Sequence, residues 1–346
     1  MRRNTAIDLL RIISCLLIIL HHFQQVLEKV LTPKMLFMKN YGLLVELFFV
    51  ISGFLTISKD NDSVLKYMLR KIIRLLPLVV ISVVLYELLI VLYFFEGGWL
   101  WPFSLKVDIV GSFITAIGLS EWGLIYCNGI NNPVWYISVL LLCYIIEYLI
   151  STIFRRWKLN PEYGYFFCII IGLCGKIIHA NYPFFTAGIC RGYIAFFVGV
   201  ITRKKYQRIK YKNDMKCLLC ESVVLMLSSI AYMCLYNTKG INYLLFFLIY
   251  PLIVIICNNR YIIDLVEKIN FGKLINALGE ATYDIYILHI DILLLIMIIS
   301  SEIGKEAFTI VTMLIFVILC FCIGVISNRF VSVPIKRLLN KYIISN

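Results

Sequence analysis

The sequence predicts an all-α membrane protein, a polytopic bundle of about ten transmembrane helices with both termini on the cytoplasmic side. Three observations lead there. The 346 residues are 61% hydrophobic and only 15% charged, with mean hydropathy +0.90; a soluble domain averages about 45–50% and about 25%. Apolar runs of spanning length recur ten times, each long enough for a hydrocarbon core about 30 Å thick. Basic residues alternate between dense and sparse connecting segments. The net charge of +13 invites a nucleic-acid partner, but the cations sit in short tracts between apolar runs and form no single basic face.

The predicted spans are 6–27, 40–58, 74–95, 134–154, 163–181, 184–202, 216–236, 242–258, 275–300 and 306–328. One set of flanking segments holds twenty-four basic residues: Arg2 and Arg3, then Lys59 to Arg74, Arg155 to Lys158, the tract from Arg203 to Lys216, Arg260 to Lys273, and Arg329 to Lys341. The alternate segments hold six: Lys29, Lys34, Lys39, Lys106, Lys239 and Lys305. That asymmetry places the dense set and both termini in the cytoplasm, as an even span count requires. MRRN before an apolar run resembles a signal peptide, but no small-residue cleavage site follows, so the run is expected to be a retained first span. The one long outer connection, Glu96 to Pro133, carries Trp99 and Trp101 as interface anchors, and 108–119 reads as a short amphipathic or re-entrant segment. No repeat or low-complexity tract is evident. The expectation is one membrane domain over 1–346, without an attached soluble domain, in the plasma or inner membrane.

Most cysteines lie inside apolar runs, where they act as small hydrophobes. Cys217 and Cys220 form a lone CxxC with no second pair, and the four histidines lack metal-ligand spacing, so no metal is expected.

Span one carries Asp8, Arg11, His21 and His22. Ionisable groups in a membrane span mark function by default. Arg11 and His22 are eleven residues apart, which puts them within roughly 20° on one helix face, roughly 16 Å apart along the axis. Asp8 precedes Arg11 by three residues and can pair with it. His21, about 100° around the helix, is expected to face elsewhere. In span two, Glu46 either lines the same cavity as span one or is an interfacial carboxylate paired with a lysine or with Arg11; Ser52 and Gly53 favour close helix approach. Arg70 and Arg74 stack on one face before span three, as an anion-binding pair or as ordinary positive-inside anchors. Trp135 and Tyr136 open span four as an interface belt or as part of a binding wall. Arg191 lies too deep to snorkel and needs a partner or an aqueous cavity. Span nine presents Tyr283, Tyr286 and His289 at intervals of three, a drifting stripe of hydrogen-bonding groups.

This ordered set resembles the acyltransferase-3 family of integral membrane proteins, which O-acylate cell-surface glycans and related acceptors. The resemblance rests on D-x-x-R with R-x₁₀-H (Asp8, Arg11, His22), FFVISGF (Phe48 to Phe54), R-x-x-x-R-x-x-P (Arg70, Arg74, Pro77), VWYIS opening span four, RGYIAFFVG around Arg191, and Y-x-x-Y-x-x-H (Tyr283, Tyr286, His289). Many relatives carry a Glu two residues before the proline after the last span; here Ser332 precedes Pro334. The resemblance implies an O-acyltransferase, acting on other than amino-acyl groups, that takes an acyl group, most often acetyl, from cytoplasmic acyl-CoA to a hydroxyl near the outer side. Counted from the cytoplasmic end, Arg11 lies roughly 8 Å deep, His22 roughly 24 Å and His289 roughly 21 Å. Arg70 and Arg74, with Arg11, would meet the nucleotide end of the donor, and no tightly bound cofactor is expected. His22 is the expected general base, with Asp8 and Arg11 on its helix face. Arg191 or Tyr286 would stabilise the oxyanion, and His289 would share proton traffic or position the acceptor. Glu46, Trp135, Tyr136 and Tyr283 would bind the acceptor. Direct transfer and an acetyl-histidine intermediate both stay open. So do two rival functions, a transporter or flippase of lipid-linked saccharide, in which Pro77 and Pro251 would break helices, and a glycan polymerase.

Overall fold

The computed structural model describes residues 4–30, 41–56, 63–95, 107–125, 131–208, 214–268, 272–301 and 310–344. These form helices and no β-strand: α1 (Thr5–Val30), α2 (Leu44–Leu55), α3 (Val64–Phe95), α4 (Ile109–Ala116), α5 (Trp135–Arg156), α6 (Glu162–Ile177), α7 (Ala187–Arg208), α8 (Met215–Cys234), α9 (Asn242–Leu244), α10 (Tyr250–Cys257), α11 (Arg260–Lys268), α12 (Gly272–Ser301), α13 (Ile310–Ser327) and α14 (Val333–Leu339). Every predicted run contains a helix. Among the described residues, six helical segments are long and apolar enough to cross a membrane: Thr5–Val26, Val64–Tyr93, Asn132–Arg156, Met215–Cys234, Gly272–Ile299 and Ile310–Ile343. Helices suit that solvent because they satisfy their backbone groups internally. The other runs fall short for visible reasons. Helices α2 and α6 have 12 and 16 residues, and α7 carries Arg191 within it and Arg203, Lys204 and Lys205 at its end. Trp99, Trp101, Arg2 and Arg3 lie outside the described residues.

Two expectations are corrected. Lys66, Arg70 and Lys71 lie within α3, not in a loop before it, and Pro77 sits inside α3 without ending it. The helix loses one backbone hydrogen bond at the proline, which neighbouring elements in a membrane bundle can absorb. Pro251 follows a π-helical turn at Leu245–Ile249 and opens α10. The sharp bend, 63°, comes later, between the segments Asn242–Cys257 and Arg260–Lys268. The 108–119 segment is the short helix α4, capped by Asp108, whose Oδ1 accepts from Gly111 N at 2.8 Å.

The chain divides into two compact units. The first comprises Met1–Arg11, Leu43–Asn61 and Leu142–Gly279; the second comprises Ile12–Gly42, Asp62–Leu141 and Glu280–Asn346. At the centre of the first unit, α2 and α7 meet backbone to backbone. A Cβ on Gly53 would lie 2.0 Å from the Phe196 carbonyl oxygen, and one on Gly199 would lie 2.1 Å from that of Val50. Close approach of this kind needs glycine on both helices. Backbone cannot rotate out of the way as a side chain can, so alanine would force the helices apart. Gly53→Ala and Gly199→Ala are each expected to cost about 1–3 kcal/mol or more, read as a lower Tm of the detergent-solubilised protein. Gly272→Ala, whose Cβ would have nothing within 4 Å, should leave Tm unchanged.

In the second unit, the Glu280–Ser301 part of α12 is buried on most sides and carries two carboxylates, each with side-chain donors. Asp284 accepts from Ser327 Oγ at 3.0 Å, Asn328 Nδ2 at 3.0 Å and Ser332 Oγ at 2.5 Å. The donors lie on α13 and on the π-helical turn Asn328–Ser332 that continues it. Ser332, which departs from the relatives' Glu, thus serves Asp284. About two helical turns further along α12, Asp291 accepts from Ser82 Oγ at 2.6 Å. Asn131 donates to Ser82, to Asp291 and to the Ile287 carbonyl. Its backbone is left-handed, φ 44°, a conformation asparagine tolerates better than most residues, and it stands just ahead of α5.

Candidate active site

The second unit gathers three of the four imidazoles, those of His21, His22 and His289. His22 on α1 and His289 on α12 have ring centroids 5.1 Å apart. Sequence periodicity explains the α12 side. Tyr286 and His289 are three residues apart and share a face, and their rings lie 5.8 Å apart. Tyr136, from the first turn of α5, meets Tyr286 edge-on at 5.7 Å. His289 is completely buried, 0% exposed, and its Nδ1 lies 2.7 Å from the Tyr286 carbonyl oxygen. A carbonyl can only accept, so Nδ1 carries the proton and Nε2 carries the lone pair. That Nε2 has no hydrogen-bond partner among the described residues. His22 is less sealed than His289, being half-buried. Its Nδ1 lies 3.0 Å from Gln25 Oε1.

Gln25 is a residue the sequence reading passed over. It lies three residues after His22 and four after His21, both neighbour positions on a helix. Its Nε2 lies 3.3 Å from His21 Nε2. His21 therefore does not face elsewhere, as expected from its 100° offset; Gln25 reaches both imidazoles, whose rings lie 5.6 Å apart.

Tyr283 donates its hydroxyl to the Leu75 carbonyl on α3, next to Arg74. Arg70 and Arg74 lie one helical turn apart on α3, half-buried and exposed respectively. Trp135 is half-buried at the start of α5. The second unit thus holds His22, His289, Tyr286, Tyr283, Tyr136, Trp135, Arg70 and Arg74.

The first unit holds the remaining candidates. Asp8 and Arg11 pair on α1, with 3.6 Å from Oδ1 to Nη1. Glu46 of α2 pairs with Arg191 of α7, Oε1 to Nε at 2.6 Å. Arg191, not Arg11, is the ion-pair partner of Glu46, and Glu46 supplies the partner that Arg191 required; Lys176 interacts with both by charge. Lys176 on α6 completes the cluster, its ammonium 5.0 Å from the Tyr243 ring centroid and 5.1 Å from that of Phe246. Such contacts hold a cation by the ring quadrupole. Among the described residues, no group of three or more His, Cys, Asp or Glu side chains is placed to hold a metal ion.

Two imidazoles with fixed rings, one half-buried and one sealed, can take up and relay a proton without a carboxylate. Phenol hydroxyls beside them can donate to developing negative charge. Residues 4–329 match the family model described as an acyltransferase domain, Acyl_transf_3. No curated protein and no solved structure matches the chain.

Proposed function

The chain belongs to the acyltransferase-3 family, and from that membership we propose that it transfers an acetyl group from cytoplasmic acetyl-CoA to a hydroxyl of a cell-surface or exported glycan. Its family and its long apolar helices make it a multi-pass membrane acyltransferase. The donor, the acceptor, the ten-span topology with cytoplasmic termini and the inner-membrane location are our reading. The observation that carries the chemistry is the His22–His289 pair.

In this reading His22 Nε2 takes the proton of the acceptor hydroxyl as its oxygen attacks the thioester carbonyl. The tetrahedral intermediate collapses with cleavage of the carbon–sulfur bond, and the imidazolium returns the proton to the departing thiolate. An imidazole suits both steps because its ordinary pKa lies near neutrality. Tyr286, beside His289, is the better-placed donor for the oxyanion; the Nε of Arg191 is already engaged by Glu46. His289 orients His22 and shares its proton. Tyr136, Tyr283 and Trp135 form the acceptor wall. Arg70 and Arg74 bind the donor phosphates, and the Asp8–Arg11 pair and Glu46–Arg191 pair hold the first unit's polar face. Acetyl-CoA is a substrate here, and no resident cofactor enters a step.

The test is transfer of labelled acetate from acetyl-CoA by the purified protein to glycan extracted from a deletion strain. Glycan export without labelling would sink the reading. Within that assay, Arg70→Ala and Arg74→Ala are each expected to raise the acetyl-CoA KM roughly 10- to 100-fold, the worth of a charge-assisted contact, with little change in kcat. Acetyl-pantetheine, which lacks the nucleotide phosphates, should show the same KM with wild type and variants.

A further inference from the structure

The geometry around His22 points to a device that no part of the family resemblance assigns: we propose that Gln25, backed by His21, is a positioning residue that keeps the His22 proton on Nδ1 and its lone pair on Nε2. The inference rests on His22 being the base. An imidazole acts as a base through one nitrogen only, and which one is set by the hydrogen bond the other makes. At His289 a backbone carbonyl settles this without ambiguity. At His22 the partner is an amide, which can present either oxygen or NH₂. With oxygen toward His22, Nδ1 is the donor and Nε2 the base; with the amide turned over, Nδ1 becomes the acceptor and Nε2 is blocked by its own proton.

Something must choose, and His21 is placed to do so. Its Nε2 lies 3.3 Å from the far end of the same amide. In the His21 tautomer with its proton on Nδ1, the Nε2 lone pair accepts from Gln25 Nε2 and turns Gln25 Oε1 toward His22 Nδ1, at 3.0 Å. The three side chains occupy neighbouring positions on one helix, so the relay depends only on α1 staying helical through Gln25. The His21 ring also lies against Gly42, where a Cβ would be 3.4 Å from Nε2. The titratable groups that face His22 are His21 on its own helix and His289 on α12, with Tyr286 behind the latter. The orienting partner at Nδ1 is a neutral amide, unlike the aspartate of a serine-protease triad.

The experiment compares Gln25→Leu, Gln25→Glu, His21→Phe, the Gln25→Leu/His21→Phe double variant and His22→Ala. All are purified in detergent and assayed with acetyl-CoA at equal amounts of monodisperse protein. Gln25→Leu should lower kcat roughly 10- to 100-fold, the worth of one hydrogen bond to the imidazolium, with the acetyl-CoA KM unchanged. Gln25→Glu keeps the acceptor oxygen and should retain activity. Its added charge favours the imidazolium, so the acid limb of its pH–rate profile should move to higher pH. His21→Phe should lose less than Gln25→Leu, and the double variant should be no worse than Gln25→Leu alone, because both act through one amide. Wild-type kcat in Gln25→Leu, alongside an inactive His22→Ala, would overturn the inference and leave the base intact. A Gln25→Glu protein as impaired as Gln25→Leu, or with an unmoved pH profile, would also overturn it. An active His22→Ala would instead remove the reading beneath it. Should Gln25→Leu fail to fold, Gln25→Glu and His21→Phe decide.

Discussion

His22→Ala is expected to lower acetyl transfer by roughly 10²- to 10⁴-fold, the usual contribution of a positioned general base, at wild-type levels of folded protein. The fold should tolerate the change, because His22 is only half-buried and its Nδ1 contact to Gln25 lies within its own helix. His289 is a different case. It is wholly sealed, with Nδ1 tied to the Tyr286 carbonyl, so it acts on substrate only through its neighbour. His289→Ala opens a cavity against Tyr286 and should cost stability as well as rate. Its loss in kcat should therefore be the smaller of the two when corrected for folded protein. The reverse order would exchange the two roles and make His289 the base. Single-turnover acetylation in the absence of acceptor adds a second reading of the same variant. Labelled acetate on wild-type protein, absent from His22→Ala, would select the covalent route over direct transfer.

How much of this was legible in the chain depends on whether the information is local. Helix arithmetic put Tyr286 beside His289, and it needed only 100° per residue. The same arithmetic could have found Gln25, three and four residues from the two histidines. It was passed over because a neutral amide near a helix end raises no alarm, whereas a buried charge does. Partners across helices are another matter. Glu46 and Arg191 are 145 residues apart, and each by itself announced only that something must neutralise it. The Ser82–Asn131–Asp291 and Asp284–Ser327–Ser332 networks were invisible for the same reason: serine and asparagine in apolar runs are common. Hydropathy also misplaced an edge. The apolar run beginning at Arg74 suggested a helix start there, but helices outlast their apolar segments, and α3 runs back to Val64 with its basic turns included. The pattern of cations predicts a topology of ten spans, while length and composition qualify six segments among the described residues.

The Glu46–Arg191 pair supplies the second large effect, and its asymmetry fixes the sign of each variant. Glu46 is 1% exposed at its side chain and Arg191 30%. The second oxygen of Glu46, Oε2, is buried without a hydrogen-bond partner among the described residues. Removing the arginine strands a fully buried carboxylate, and removing one member of a buried pair typically costs about 3–5 kcal/mol. Arg191→Met should sit at the upper end of that range and depress Tm sharply. Glu46→Met leaves a guanidinium whose side chain is 30% exposed and should cost less. Removing both charges together dispenses with the desolvation of each, and apolar replacements of similar volume often restore stability. Glu46→Met/Arg191→Met should therefore be more stable than Arg191→Met alone, even with Lys176 left on its aromatic rings. If the pair only ties α2 to α7, the double variant recovers activity along with Tm. If the pair also serves the acyl-transfer site, the double variant recovers Tm and stays inactive. A Tm for the double variant equal to the sum of two independent losses would mean that the two side chains do not neutralise one another, and the pairing itself would fall.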